Sequence, residues 1–445
     1  MSNIPDSRST SLTMWRQFAY LLFFTIGGDK LSIDIFNFTI RFNNLIAIVA
    51  AFIIIVSRPI KIGRKYFIFA VLTALSLFIS YASYPSDILN LFYIFQGLIT
   101  LTVYPFLLVY LSKILGTATL IIIYYRTSVL VAGYALLQFL LSLLKVYDIF
   151  SDQILPSGIV RAAAFTYEPS SLAIYLTFSI CIGTHSFILS LVDNKPPPFK
   201  LPSLFVLYSG YLLTTSTTSY LSLLIFIIYE FLCFRKYLYS IFKKHYKSFL
   251  LPLFTLPVLI TIIYAALPQS FSKIFALSDP LSNHSIGERY DMTINYLYAF
   301  KYRPFFGFGL GGVSDFLYNK YLVHDPNIYI FPTRYLNQNL LAKSTFMPMT
   351  IVAEILASLG LFGMSILATW LIMLSTSLKK MSAYFAVRKL MHWQIIQSLL
   401  ISNIFLLLSM QLSQGLFRLY IIVPLILMSI TTYSIKKDIP ESSLL

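Results

Sequence analysis

Apolar residues in this chain neither alternate nor recur on one helical face; they run together. Runs at about 12–28, 43–57, 66–82, 91–111, 127–144, 170–192, 201–215, 219–234, 249–267, 348–375, 394–411 and 416–434 approach the ~20 residues that cross a bilayer. Short turns rich in Lys and Arg separate most of them. The pattern predicts an all-α, polytopic integral membrane protein of about 12 transmembrane helices, a single membrane domain over 1–445. The first run follows a polar start, Met1 to Thr13, without a small-residue cleavage pattern, so it reads as a retained helix. One stretch departs from the rule. From 268 to 345 the chain is polar and aromatic, a long loop expected to carry amphipathic helices.

Basic turns set the orientation. Those at 58–65, 195–200, 235–247 and 379–389 and the pair Lys436 and Lys437 fall on the side of the N-terminus, which the positive-inside rule makes cytoplasmic for both ends of the chain. The opposite side receives the turn at Asp87, the segment 145–168 and the 268–345 loop. Long loops translocate regardless of their charge, so the basic residues within 268–345 do not disturb this assignment.

Composition agrees. Hydrophobic residues make up 58% and charged residues 11%, and the mean hydropathy is +0.77; soluble domains carry about 25% charge. The net charge of +16 suits anionic headgroups beside the spans and not nucleic acid, because it is spread between apolar runs. The two cysteines, Cys181 and Cys233, sit in apolar runs, and five scattered histidines form no ligand set, so neither a disulfide framework, a metal nor a cofactor is expected. Walker and dinucleotide motifs are absent; the Gly307 to Gly312 stretch reads as a tight turn or close backbone approach. Chemistry outside the cell cannot draw on ATP, so an activated substrate must arrive already made.

The polar groups expected outside gather in two places. Arg161 and Glu168 end the 145–168 segment, with Tyr167 beside them, and Pro169 and Ser170 then open a helix. Glu168 either caps that helix or faces a cavity with Arg161, which otherwise reaches for headgroups. In the long loop, Arg289, Tyr290 and Asp291 begin a periodic stretch, and Lys301 and Arg303 end it. Its apolar face is expected at Tyr290, Ile294, Leu297 and Tyr298, lying over the bundle. Arginines here suit phosphate oxygens by their planar fork, or they are plain surface charge on an exposed helix. His324 with Asp325 is a candidate base or an incidental pair, and Arg334 is a further candidate ligand. Within the spans, Glu354 is costly at membrane depth, and Glu230 is expected to pair with Arg235 or water.

Arg161 followed by Phe165 to Ser170, Glu288 and Arg289 leading to Pro304 to Gly311, and Ala353 to Gly363 occur in an order that resembles the bacterial O-antigen polymerase and ligase superfamily. The resemblance implies a glycosyltransferase that joins oligosaccharide repeat units carried on undecaprenyl diphosphate, on the outer face of the cytoplasmic (inner) membrane. It implies catalytic roles for Arg161 and Arg289 on the diphosphate. A base must also take the hydroxyl proton, with Glu168 first and Asp291 and His324 behind it, or Glu168 instead orients Arg161; Tyr167, Tyr290, Lys301, Arg303 and Arg334 are candidate substrate contacts. A repeat-unit flippase and a chain-length-regulating membrane protein would be partners. Ligases of this superfamily carry a histidine–asparagine pair before the helix bearing Glu354; Ser344 to Thr350 has no histidine, which favours the polymerase. The rival readings are a ligase using another acceptor, a polysaccharide transporter or flippase, and a structural subunit without catalysis.

Overall fold

The computed structural model describes residues 7–28, 30–35, 38–57, 64–84, 89–151, 154, 160–166, 168–214, 216, 220, 222–237, 243, 261, 284–329, 346, 350–388, 393–410 and 419–437. The chain is almost wholly helical. In order come α1 (Ser7–Ile26), a two-stranded antiparallel hairpin of β1 (Ser32–Ile35) and β2 (Phe38–Arg41), α2 (Phe42–Ser57), α3 (Arg64–Ser83), α4 (Leu89–Leu98), α5 (Tyr104–Leu115), α6 (Thr117–Leu143), α7 (Pro169–Val192) and α8 (Leu201–Leu213). A helical stretch at 222–237, here α9, follows. The last five are α10 (His284–Tyr302), α11 (Gly312–Leu322), α12 (Ile351–Arg388), α13 (Trp393–Met410) and α14 (Leu419–Lys437).

The expectation of about twelve long spans is not met. Among the described residues, four helices are long and apolar enough to cross a membrane: Leu91–Leu115, Thr117–Leu143, Pro169–Val192 and Ile351–Tyr384. Five more are apolar but shorter: Phe42–Val56, Ala70–Ala82, Leu201–Leu213, Ile396–Leu406 and Ile421–Ser434. The reason is geometric. At 1.5 Å per residue, a 13-residue helix such as α8 rises roughly 20 Å, against the ~30 Å of hydrocarbon a span must cover. The expected span 249–267 lies outside the described residues.

Between α4 and α5 the helix does not stop but loosens. Residues Ile99–Val103 form a π-helical turn in which the Tyr104 N–H reaches the Ile99 carbonyl. Pro105 follows and has no N–H to give, so the wider turn keeps one continuous rod where an α-helix would lose a bond.

At the centre stands α7, almost wholly buried. It lies along α13, where the Ser186 and Ser398 hydroxyls meet at 2.7 Å. Helices in lipid gain no hydrophobic drive from pairing, so small residues and hydrogen bonds hold them. Gly210 of α8 presses on Ala132 of α6, where a Cβ would sit 2.8 Å from the alanine's own. Helix α9 shows the same economy. Leu224, Ile225, Ile227, Ile228, Phe231 and Leu232 are exposed, and one stripe, Leu223, Phe226, Glu230 and Phe234, is buried. Glu230 pairs there with His185 of α7, whose Nδ1 lies 2.8 and 3.0 Å from the two carboxylate oxygens. The expected pairing with Arg235 or water is thereby replaced by a partner 45 residues earlier.

The long loop does more than lie over the bundle. Helix α12 is broken at Gly360 (φ 64°, ψ −168°), a conformation open only to glycine. The turn at residues 304–309 fills the break. Phe308 N–H donates to Ala357 O (2.9 Å) and Gly309 N–H to Ser358 O (2.8 Å), while Leu361 N–H and Phe362 N–H donate to Pro304 O (2.8 Å) and Phe305 O (3.1 Å). Gly360 lies nine residues, or about 14 Å, below the start of α12. On the other flank Leu310 lies against Gly97 of α4 and Gly309 against Tyr81 of α3. Irregular backbone at such depth is tolerated only when protein satisfies it, and these four bonds do so. Under the break lies a small apolar cavity of about 40 Å³, bordered by Thr73, Ser76, Leu359, Gly363 and Trp370.

Candidate functional site

Arg161 sits where three elements converge. Its guanidinium donates to the Thr214 carbonyl at the C-terminal end of α8 (3.5 Å), and the neighbouring Ala162 N–H donates to Leu213 O (3.3 Å). A helix C-terminus carries partial negative charge, so it welcomes a cation. Burial pulls the Arg161 proton affinity below its ordinary value, and the nearby Tyr220 and Glu168 pull it back up; an arginine remains charged through such a shift. The result is a half-buried cation at one end of the bundle, with a carboxylate close enough to feel it.

Glu168 opens α7. Its backbone is extended (φ −134°, ψ 147°) and its carbonyl accepts from Ser171 and Leu172, with Pro169 as the first helical residue. The side chain makes no capping bond to the helix; it accepts from the Ser170 hydroxyl at 3.0 Å. Glu168 is thus the N-cap residue of α7 by its backbone alone, while its carboxylate is engaged by Ser170 and lies near enough to Arg161 to act on it. Lys30, just beyond α1, shares this end of the bundle: its N–H donates to Phe165 O (3.0 Å) and its ammonium to Phe150 O. Sequence reading missed Lys30, for nothing in its surroundings marks it.

The second group lies on α10. This helix packs on α12, but by a different face from the one expected. Asp291, Met292, Asn295, Tyr296 and Ala299 are buried, while Tyr290 and Leu297 are exposed. The stripe is rotated by one residue, about 100° of helix, because polar groups occupy it. Asn295 exchanges two hydrogen bonds with the backbone of Tyr329 (2.7 and 2.9 Å). Tyr296 donates to Phe346 O (3.0 Å), and burial first, then the Glu354 carboxylate, push its phenol up, so it stays a donor. Asp291 is 0% exposed and Arg289 half-buried near the entrance of the helix. Thr293 bridges Arg289 O (2.6 Å) and the Thr350 hydroxyl (3.1 Å), which ties the lid to the approach of α12.

The remaining candidates separate. Lys301 is exposed. Arg303 is held over the rings of Tyr84 (5.1 Å) and Phe308 (5.4 Å), a clamp on the inserted turn. His324 is exposed in a left-handed turn (φ 58°), with Nδ1 3.2 Å from Leu322 O. Asp325 does not engage it. That carboxylate accepts from Asn327 N–H (3.0 Å) and Tyr298 (2.9 Å) and pairs with Lys320 (3.3 Å), which with Asn327 foremost hold it down at about 2. Tyr167 and Arg334 lie outside the described residues. Arg161 thus reaches the end of α8, and Arg289 lies on α10, whose Thr293 reaches Thr350 just before α12. Among the described residues no group of three or more His, Cys, Asp or Glu is placed to hold a metal ion.

Set beside known proteins, residues 202–368 match the family model for O-antigen ligase. The match agrees with the resemblance drawn from the motifs. It runs from α8 through the long loop and past the Gly360 break, and so contains Arg289, Asp291 and Glu354; Arg161 and Glu168 precede it. No curated protein matches the chain. A multi-pass membrane protein with an O-antigen-ligase-like region is therefore what the helices and the match together define.

Proposed function

We propose that the chain is a polysaccharide polymerase of the O-antigen or capsule type, working on the outer face of the bacterial cytoplasmic membrane with both termini inside. Its donor is an oligosaccharide repeat unit on undecaprenyl diphosphate, and its acceptor is a hydroxyl of another such unit. A new glycosidic bond forms at the anomeric carbon, the carbon–oxygen bond to the diphosphate breaks, and the lipid diphosphate departs with the electron pair. Arg161, partly desolvated and aimed from the α8 end, stabilises that leaving charge. Glu168, fixed through Ser170, receives the proton of the attacking hydroxyl. Arg289 would meet the second unit from α10, whereas Asp291, buried on the opposite face of that helix, would not.

The observation that supports this most is the half-buried Arg161 with Glu168 beside it, in a chain whose later part matches the O-antigen ligase model. The test uses purified protein in nanodiscs with a lipid-diphosphate-linked repeat unit, without nucleotide and with a chelator present. Chain lengthening is expected, and Arg161→Ala should lower kcat about 100-fold or more. Full activity of Arg161→Ala would refute its role, and product on a non-repeat acceptor would make the protein a ligase. The buried His185–Glu230 pair is the feature a transporter would use. Translocation of lipid-linked sugar without elongation would establish that reading instead.

A further inference from the structure

Among the contacts that hold residues 161–166, one amide reaches two backbone N–H groups at once. Gln138 of α6 is 2% exposed. Its Oε1 accepts from the N–H groups of Ala163 (3.3 Å) and Ala164 (3.1 Å). Its Nε2 donates to Asp148 (3.1 Å to Oδ1) and to the Ser151 hydroxyl (3.5 Å). Ala164 takes a left-handed conformation (φ 48°), uncommon for a residue with a Cβ. Phe165 is boxed by Tyr134 (ring centroids 4.2 Å apart), Phe24 (5.1 Å) and Phe150 (5.2 Å), and the Thr166 hydroxyl ties Ala163 O to Glu168 O.

We infer that Gln138, oriented by Asp148, is the positioning residue that sets Arg161 and Glu168 relative to each other; this rests on the reading of that pair as the reacting centre. The logic is one of donors and acceptors. An ionised carboxylate only accepts, so Asp148 compels Gln138 to turn its NH₂ downward and its oxygen toward the two N–H groups. Burial pushes the Asp148 carboxyl up, but bonds from Ser151, Tyr134, Gln138 and the Phe150 N–H outweigh it and hold the group below its ordinary value. At neutral pH it therefore stays ionised, and the amide has one orientation.

Exchange of the two functional groups tests this. Gln138→Glu still accepts from both N–H groups but sets two carboxylates against each other. Asp148→Asn removes the charge that orients the amide. The double variant Gln138→Glu/Asp148→Asn puts a donor between them again. Two readouts are taken on the full chain in nanodiscs: the rate at which phenylglyoxal modifies Arg161, followed by mass spectrometry, and kcat and KM with the lipid-diphosphate-linked repeat unit. Each single variant should raise the modification rate several-fold and lower kcat about tenfold or more, with KM changing less than about threefold. The double variant should return both readouts to within about threefold of the parent. Unchanged modification in both single variants, or a double variant as impaired as its worse parent, would overturn the inference. If modification follows the expected pattern while the parent protein forms no product, Gln138 positions Arg161 and it is the reading of the site that falls.

Discussion

Replacing Gly360 with alanine should unlock the inserted turn. A Cβ there would lie 2.4 Å from both the carbonyl carbon and the oxygen of Phe305, and these are backbone atoms that cannot swing aside. The conformation itself (φ 64°, ψ −168°) costs a non-glycine residue of order 1–3 kcal/mol before any clash. Against this stand the four bonds between 304–309 and 357–362, each worth about 0.5–1.5 kcal/mol net. This cost, to which the clash adds, overlaps the roughly 2–6 kcal/mol of the four bonds together, so the joint should open more often while the rest of the protein stays folded. At about 1.4 kcal/mol per decade, 1–3 kcal/mol makes opening roughly 5- to 150-fold more frequent. Hydrogen exchange of peptides covering 304–309 and 357–362, read by mass spectrometry in nanodiscs, should accelerate by that factor, while α7 stays unchanged. Equal exchange in the parent and Gly360→Ala would refute the claim that the turn closes the helix break.

Other consequences can be checked separately. His185→Ala should destabilise the protein by about 3–5 kcal/mol, since it leaves Glu230 buried without its partner, and Glu230→Gln should cost less; thermal unfolding in detergent compares them. Arg161→Lys should recover little of the activity lost in Arg161→Ala, because an ammonium cannot reproduce the planar fork, and kcat measures this. Asp325, held down at about 2 from an ordinary value of 3.8, contributes local stability that is complete above about pH 4 and lost as pH falls towards 2. Hydrogen exchange in residues 320–329 should rise over that range in the parent and show no such step in Asp325→Asn.

The membrane class was legible from unbroken apolar runs, since hydrocarbon contact demands them whatever the helices do next. Their number was not, because a run of thirteen apolar residues such as α8 reads the same whether it crosses or stops short. Arg161 and Glu168 were visible as polar groups before a proline-initiated helix, and the structure sets them at one end of the bundle. The buried face of α10 misled because Asp291 and Asn295 occupy it: polar groups that find partners inside defeat an apolar count. His185 and Glu230 each looked incidental, and only the packing of α9 on α7 makes them a pair. Gln138 left no trace in the sequence, since its meaning lies in which N–H groups come within reach.

The joint at Gly360 also bears on the order in which the molecule is made. The carbonyls of Ala357 and Ser358 and the N–H groups of Leu361 and Phe362 find their partners in a turn synthesised some fifty residues earlier. That turn can acquire its final bonds only after α12 has emerged and entered the bilayer. Until then both halves of the joint are open, and the 304–309 turn has no fixed seat. Insertion of α12 is thus the event that completes this end of the fold, and a chain truncated before residue 357 would keep every candidate residue from Arg161 to Arg303 and still lack the groove that seats the turn.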